Sequence, residues 1–324
     1  MTKATLLRLH LYVTLAFMVP IAAVVVTGLV LAVEPVVHTV AVEPGTLSAQ
    51  RVEAMLDRHD PGGQARALTL RPYEGVLLIA GVRPGPPLAV DLGTGEEVRA
   101  DSTWVGVFVT ARRVHETLLL DLGWLVVAST YAMLALAALG IFMGLPRLRN
   151  TLAGWHKAAA WGLLPLLILS PLTGLFIAYG ITFAPAPASA TGQAAPPSLR
   201  EAVRVVQDAG HDLSALVWLR PQGGRMLARV SEGGEWRLYA VTQGGAVLQP
   251  RNWPRLLHEG NFAGIWSGLL NVVISLALIG LLVTGLASWA RRTLAQRRRR
   301  VAGGRATRAS GNPTAAGTAA SAEG

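Results

Sequence analysis

Cysteine is absent from the 324 residues. That excludes disulfides, thiolate or thioether attachment of haem, cysteine-ligated iron–sulfur clusters and thiol relays. Charge is scarce. Asp, Glu, Lys and Arg make up 15% of the chain and apolar residues 52%, a balance unusual for a soluble chain. Carboxylates are missing from the long apolar runs. A transporter would need ionisable groups along a polar path there, which weakens that reading. No glycine-rich nucleotide motif opens a helix near the basic segments, so the chain shows no nucleotide site of its own there.

What the chain does have is four apolar runs, each long enough for the ~20 residues of a membrane-spanning helix. The divisions that follow are a stub at 1–8, a first helix at 9–33, an outer segment at 34–113 and a second helix with an outer extension at 114–145. A loop at 146–154, a third helix at 155–181, a second outer segment at 182–257 and a fourth helix with an outer extension at 258–290 come next. The tail, 291–324, is basic and then Ala/Gly/Ser/Thr-rich, and disorder is predicted beyond Arg300. The net charge of +10 sits beside the runs. Lys3 and Arg8, then Arg147, Arg149 and Lys157, then Arg291, Arg292 and Arg297–Arg300 all fall on one side of a four-helix topology. The positive-inside rule makes that side cytoplasmic, with both termini there, and removes the need to invoke nucleic acid. The first run is too long for a signal peptide and Ala32-Val33-Glu34-Pro35 is a poor cleavage site, so a retained anchor is expected.

The outer segments read alike. Helical spacing at Ser48–Arg58 is followed by strand-like runs at Ala67–Leu70, Val76–Val82 and Leu88–Asp91, then a glycine turn at Asp91–Gly95. After a Pro/Ala/Ser linker at Ala184–Pro197, expected to be extended and mobile, the second segment repeats the order. Its helix is at Ser198–Ala209, its strands at Ala215–Leu219, Met226–Val230 and Trp236–Val241, and its turn at Thr242–Gly245. Each is an α-β-β-β module too small to be very stable alone. The fold class expected is therefore an all-α membrane core of four helices with two small α+β modules outside, arranged as a tandem parallel repeat.

Histidines mark the same repeat. His10 and His156 open the first and third helices, and 18 residues later each run reaches Thr-Gly, at Thr27-Gly28 and Thr173-Gly174. Eighteen residues make five turns of about 3.6, which would place histidine and glycine on one face about 27 Å apart. His115-Glu116 and His258-Glu259 stand at the outer ends of the other two helices, followed by Trp124 and Trp266 and by late glycines at Gly140, Gly144, Gly280 and Gly285. Ionisable groups at membrane depth are costly and tend to be functional. Two neutral imidazoles on facing helices can hold a haem iron between them. Gly28 and Gly174 would leave room for the macrocycle of an outer haem, and Gly140 and Gly280 for an inner one. Close helix packing explains small residues equally well. Zinc fits less well, because its sites take three or four protein ligands. Arg8, Lys157, Arg112, Arg113 and Arg255 are candidate partners for propionates. His38, His59 and His211 have no counterpart in the other half and are read as structural.

Taken in order, these motifs resemble the PepSY-associated transmembrane family over about residues 5–292. The resemblance implies two b-type haems stacked across the bacterial inner membrane, with the bis-histidine ligands falling on His10, His156, His115 and His258. It implies a haem-dependent reductase that passes electrons outward to ferric siderophore. Membrane quinol or a separate protein would be the donor. Glu116 and Glu259 stand where a basic or neutral residue is more often expected. The alternative is a non-enzymatic PepSY-type scaffold or a regulator of an extracytoplasmic peptidase, since the α-β-β-β module also occurs in peptidase prosegments.

Overall fold

A computed structural model of the chain describes residues 2–98, 103–145, 149–185 and 196–310, with side chains described to residue 299. Arg147, most of the Ala184–Pro197 linker and the last residues of the tail lie outside them.

Helix α1, Lys3–Ala41, starts at Thr2, whose side chain accepts from the Thr5 amide. Capping by a threonine oxygen satisfies one of the four free amides of a first turn. Pro20 and Pro35 lie inside α1, which a membrane helix tolerates where neighbours satisfy the freed carbonyls. Thr39 donates its hydroxyl to the Pro35 carbonyl at 2.7 Å, an i→i−4 bond that keeps this side chain satisfied within the helix. Helix α9, Gly264–Ser310, runs past the expected boundary. The disorder predicted from Arg300 is therefore corrected as far as Ser310. Ala, Leu, Gln and Arg are good helix formers, and propagation from an existing helix avoids the cost of nucleation.

The second and third apolar units are not continuous helices. The second divides into α3, Thr103–Thr117, and α4, Gly123–Phe142. The third divides into α5, Leu152–Gly162, and α6, Leu164–Ala178, bent by 66° at the break. Leu163 is the joint and Pro165 stands just inside α6, where a missing N–H costs little. Among the described residues, three helices are thus long and apolar enough to cross a membrane, or four if the bent pair is one span.

The outer segments do not form two separate modules. Helix α2, Ala49–His59, leads to β1, Ala67–Arg71, β2, Val76–Ala80, β3, Leu88–Asp91, and β4, Glu97–Val98. In the second segment, helix α7, Leu199–Asp208, leads to β5, Leu216–Gln222, β6, Arg225–Glu232, β7, Glu235–Thr242, and β8, Gly245–Leu248. Helix α8, Trp253–Glu259, then precedes α9. Each segment has a fourth strand after its glycine turn. All eight strands join one antiparallel sheet in the order β4-β3-β2-β1-β5-β6-β7-β8. The seam is β1 against β5, through Leu68↔Leu219 and Thr69↔Trp218. The physical reason is the shared core. Val52, Met55 and Leu56 of α2 and Ala202, Val203 and Val206 of α7 bury one sheet face with Leu68, Leu77, Ile79, Leu219 and Val230. A fully buried Val, Leu or Ile stabilises by about 1.5–3 kcal/mol, and pooling two small cores into one raises the buried fraction.

One sheet built from both segments requires both to lie on the same side of any membrane. If α4 crosses once, the chain must cross back before β5, and only the bent α5–α6 pair is there to do it.

Candidate functional site

His115 is carried on α3, away from the α4 span. Leu118, Leu119 and Asp121 have φ of +52°, +64° and +53°, a region that non-glycine residues rarely occupy. This tight reversal ends α3 and starts α4 at Gly123. The expected unit at 114–145 is therefore two elements, and α3 lies alongside α1. His258 is placed the same way on α8, which ends at Gly260 in the left-handed region.

Both imidazoles seat on a Thr-Gly pair. The His115 Nδ1–H donates to the Val24 carbonyl at 2.9 Å, with the Thr27 hydroxyl oxygen at 3.3 Å. A Cβ on Gly28 would lie 3.3 Å from His115 Cε1. The His258 Nδ1–H donates to the Ser170 carbonyl at 3.1 Å, with the Thr173 oxygen at 3.2 Å. A Cβ on Gly174 would lie 3.1 Å from His258 Cε1. The threonine protons are committed elsewhere: Thr27 donates to Ala23 at 2.6 Å and Thr173 to Leu169 at 2.8 Å. The threonine oxygens are thus acceptors, the proton sits on Nδ1, and Nε2 keeps its lone pair.

The glycines were expected to be bare patches for a flat cofactor. In the structure, imidazole rings occupy the space beside Gly28 and Gly174. Gly140 and Gly280, expected at the inner level, have nothing within 4 Å of a built Cβ. The inner glycine in contact with a histidine is Gly285, whose Cβ would lie 3.4 Å from His156 Cε1. Here the His156 Nδ1–H donates to the Thr284 oxygen at 3.0 Å, while Thr284 donates to the Gly280 carbonyl at 2.6 Å. All three seats share a threonine and the glycine after it, and in the first two the carbonyl three residues before the threonine takes the Nδ1 proton. The residues missed by sequence reasoning are Val24, Ser170 and Thr284. The signal was present, because Thr284-Gly285 is a third Thr-Gly within an apolar helix.

The bend at Leu163 also matters here. The expected straight run from His156 to Gly174 would keep both on one line. The 66° break instead turns α5 so that His156 meets α9, while α6 receives His258.

His115 and His258 face each other with ring centroids 6.0 Å apart and planes inclined by 52°. Two imidazoles sharing one metal ion at ~2.0 Å from each nitrogen stand about 6 Å apart, centre to centre. Donation of the other ring N–H to a carbonyl is what ligating histidines generally show. His10 is half-buried on α1. Among the described residues, no group of three or more His, Cys, Asp or Glu could hold a metal ion. The other histidines are engaged locally. His38 is buried, edge-on to Trp236 at 5.1 Å. His59 Nε2 lies 2.8 Å from the Gly95 carbonyl, and His211 Nδ1 2.6 Å from Glu232.

The candidate cations divide. Arg112 pairs with Glu34 at 2.7 Å and Arg255 with Glu259 at 3.0 Å. Arg8, Arg113 and Lys157 are exposed. Glu259 also receives Arg229 at 2.8 Å and Asn261 at 2.9 Å. Burial acts to raise its pKa, but Arg229 and Arg255 outweigh that and hold the carboxyl at about 2. The residue that looked out of place beside His258 is thus a firm anion, tying α8 to strand β6.

A profile of the PepSY-associated TM region matches residues 7–292. No curated protein matches the chain. The matched span takes in every histidine discussed, both outer segments and all the candidate membrane helices, and the chain belongs to the PepSY-associated transmembrane family.

Proposed function

We propose that this protein is a di-haem b electron-transfer protein of the bacterial inner membrane, reducing a ferric chelate such as a ferric siderophore on its outer side. The observation that carries the reading is the facing pair His115 and His258, 6.0 Å apart, each with Nδ1 tied to a backbone carbonyl and Nε2 free. His10 and His156 would serve as the second axial pair, at the other end of the bundle. A bound haem supplies one-electron chemistry that no residue of the chain can supply. The chain's part is to present Nε2 in a fixed direction, exclude water and place anion partners such as Arg112 and Arg255 one turn beyond the outer histidines. Electrons would enter from membrane quinol or a separate protein. The outer sheet would hold the acceptor.

The non-enzymatic reading draws on a different observation. Strand β8 forms an open edge of the sheet, and Val247 and Leu248 on it are each 55% exposed. An edge of this kind can accept an extended peptide. An absorption spectrum of the purified protein separates the two. Low-spin b-type bands support the reductase, and a colourless protein from haem-replete cells supports the scaffold.

Two outcomes test the arrangement further. Both termini are proposed to be cytoplasmic and both outer segments periplasmic. Reporter fusions at Gly93 and Gly244 should then read periplasmic, and a fusion after Arg300 cytoplasmic; a cytoplasmic signal at either glycine overturns the topology. The glycines should also sort by contact. Gly174→Val and Gly285→Val press on a histidine ring and should each shift the bands of one haem. Gly140→Ala and Gly280→Ala meet open space and should leave the spectrum as it is.

A further inference from the structure

The sheet has a second face, opposite the one that α2 and α7 cover. Trp218, Arg220, Arg229 and Trp236 alternate onto it, as the register Trp218↔Arg229 and Ser231↔Trp236 requires. This face looks toward the helix ends: His38 of α1 packs on Trp236, and Arg229 reaches Glu259 of α8. The sequence repeats there too. Leu70-Arg71-Pro72 and Leu219-Arg220-Pro221 end the two central strands, and Arg112 and Arg255 each precede an outer histidine by three residues. Five arginines therefore gather between the sheet and the outer histidine pair, four of them in matching places in the two halves.

Their partners do not balance them. Arg71 has Glu74 at 3.6 Å and Arg112 has Glu34 at 2.7 Å. Arg229 and Arg255 share the single carboxylate of Glu259. Arg220 has no carboxylate partner among the described residues and lies over the Trp218 ring at 4.3 Å. Among the described residues, these ion pairs set three carboxylates against five guanidinium groups, an excess of two positive charges. Arg220 is exposed at the surface, yet its remaining desolvation, and then the like charges of Arg229, Arg255 and Arg112, lower its pKa. Like charges brought together without a counter-ion repel, and a doubly charged anion would relieve that. Guanidinium groups bind carboxylates through paired hydrogen bonds.

We propose that Arg220, with Arg112 and Arg255, forms a binding site for a small anion bearing at least two carboxylates. As the acceptor site of the reductase, it rests on the function proposed above, and it selects polycarboxylate chelates over neutral or cationic ones. The same chemistry has a second source, the two propionates of a haem held by His115 and His258. Carboxylate binding itself does not depend on the protein being a reductase.

The test uses the full chain in detergent, in haem-loaded and haem-depleted form, with citrate as the probe in a calorimetric titration. One citrate per chain should bind, more weakly as salt rises, and Arg220→Gln should weaken it at least tenfold. Arg251→Gln, which removes a cation already paired with Glu235 at 2.8 Å, should leave it unchanged. Binding in both forms identifies a free polycarboxylate as the ligand. Binding only in the haem-depleted form identifies the propionates as the occupant. Citrate bound by a protein that takes up no haem would separate this site from the reductase reading and keep the site. If neither form binds citrate, or if Arg220→Gln binds as tightly as wild type while melting at the same temperature, the proposal is overturned.

Discussion

Protein purified from haem-replete cells is expected to carry close to two b-type haems per chain, and His258→Ala should lose one while keeping the other. His258 and His115 can meet only at the end of the bundle under the sheet, where their rings stand 6.0 Å apart. His156 is seated on Thr284 and Gly285, roughly 30 Å along α9 from its start at Gly264 at 1.5 Å per residue. A hydrocarbon layer of ~30 Å is too thick for one cofactor to serve both ends. His156→Ala should therefore remove the inner haem alone, and a soluble reductant added outside should still reduce the outer one. Either change should abolish electron flow from quinol to an external ferric acceptor. Thr173→Val tests the seat. It removes the oxygen beside the His258 Nδ1 but keeps the side-chain volume, and outer-shell partners of this kind are worth about 10–100-fold in ligand affinity. Thr173→Ser should restore the wild-type spectrum. His38→Ala, His59→Ala and His211→Ala should leave both haems in place. Loss of both haems in a folded His156→Ala protein would sink the two-site arrangement.

Glu259→Ala should destabilise the protein by about 3 kcal/mol, the lower end of the cost of removing one partner from a buried ion pair. It would leave Arg229, whose side chain is only 10% exposed, facing Arg255 with no carboxylate between them. The pH dependence has a definite sign. The carboxyl is held at about 2, below its ordinary 4.5, so the folded state favours the charged form. Its contribution is complete above about pH 4.5 and is lost as pH falls from there toward 2. Thermal unfolding in detergent should thus show the wild type losing more stability between pH 6 and pH 3 than Glu259→Ala does. Glu96→Ala breaks the exposed Arg58–Glu96 pair and should change stability by less than about 1 kcal/mol. Equal acid sensitivity of wild type and Glu259→Ala would remove Glu259 from the account.

The elements and the histidines were legible in the sequence for identifiable reasons. Apolar runs without carboxylates mark membrane helices whatever their neighbours, and strand alternation with glycine turns located β1–β3, β6 and β7 to within two residues and β5 to within three. The joints were not legible. The reversal at Leu118–Asp121 uses positive φ at residues with no turn signature. The bend at Leu163 has Pro165 beside it, but proline also begins helices, so the residue alone does not decide. The β1–β5 seam depends on pairing across about 150 residues, which local periodicity does not encode. The glycines were read as room for a cofactor, and the imidazole rings that stand beside Gly28 and Gly174 were not foreseen, because a bare patch shows that something approaches closely and not what. Three Thr-Gly pairs in apolar helices were the better signal, since threonine can receive an N–H while its own proton is held by the preceding turn.

The seam also sets an order of assembly. Strand β1 is made soon after α1, and its edge is then unpaired. The strand that covers it, β5, is made only after α4 and the α5–α6 pair. Until then the first half is a nascent sheet with an open hydrogen-bonding edge, the kind of surface that joins other chains. A chain arrested before β5 would be expected to pair β1 with β1 of a second copy, because the edge it offers is the one its own second half was shaped to meet. Truncations within the second outer segment should therefore appear as cross-linked pairs or aggregates rather than as stable half-proteins.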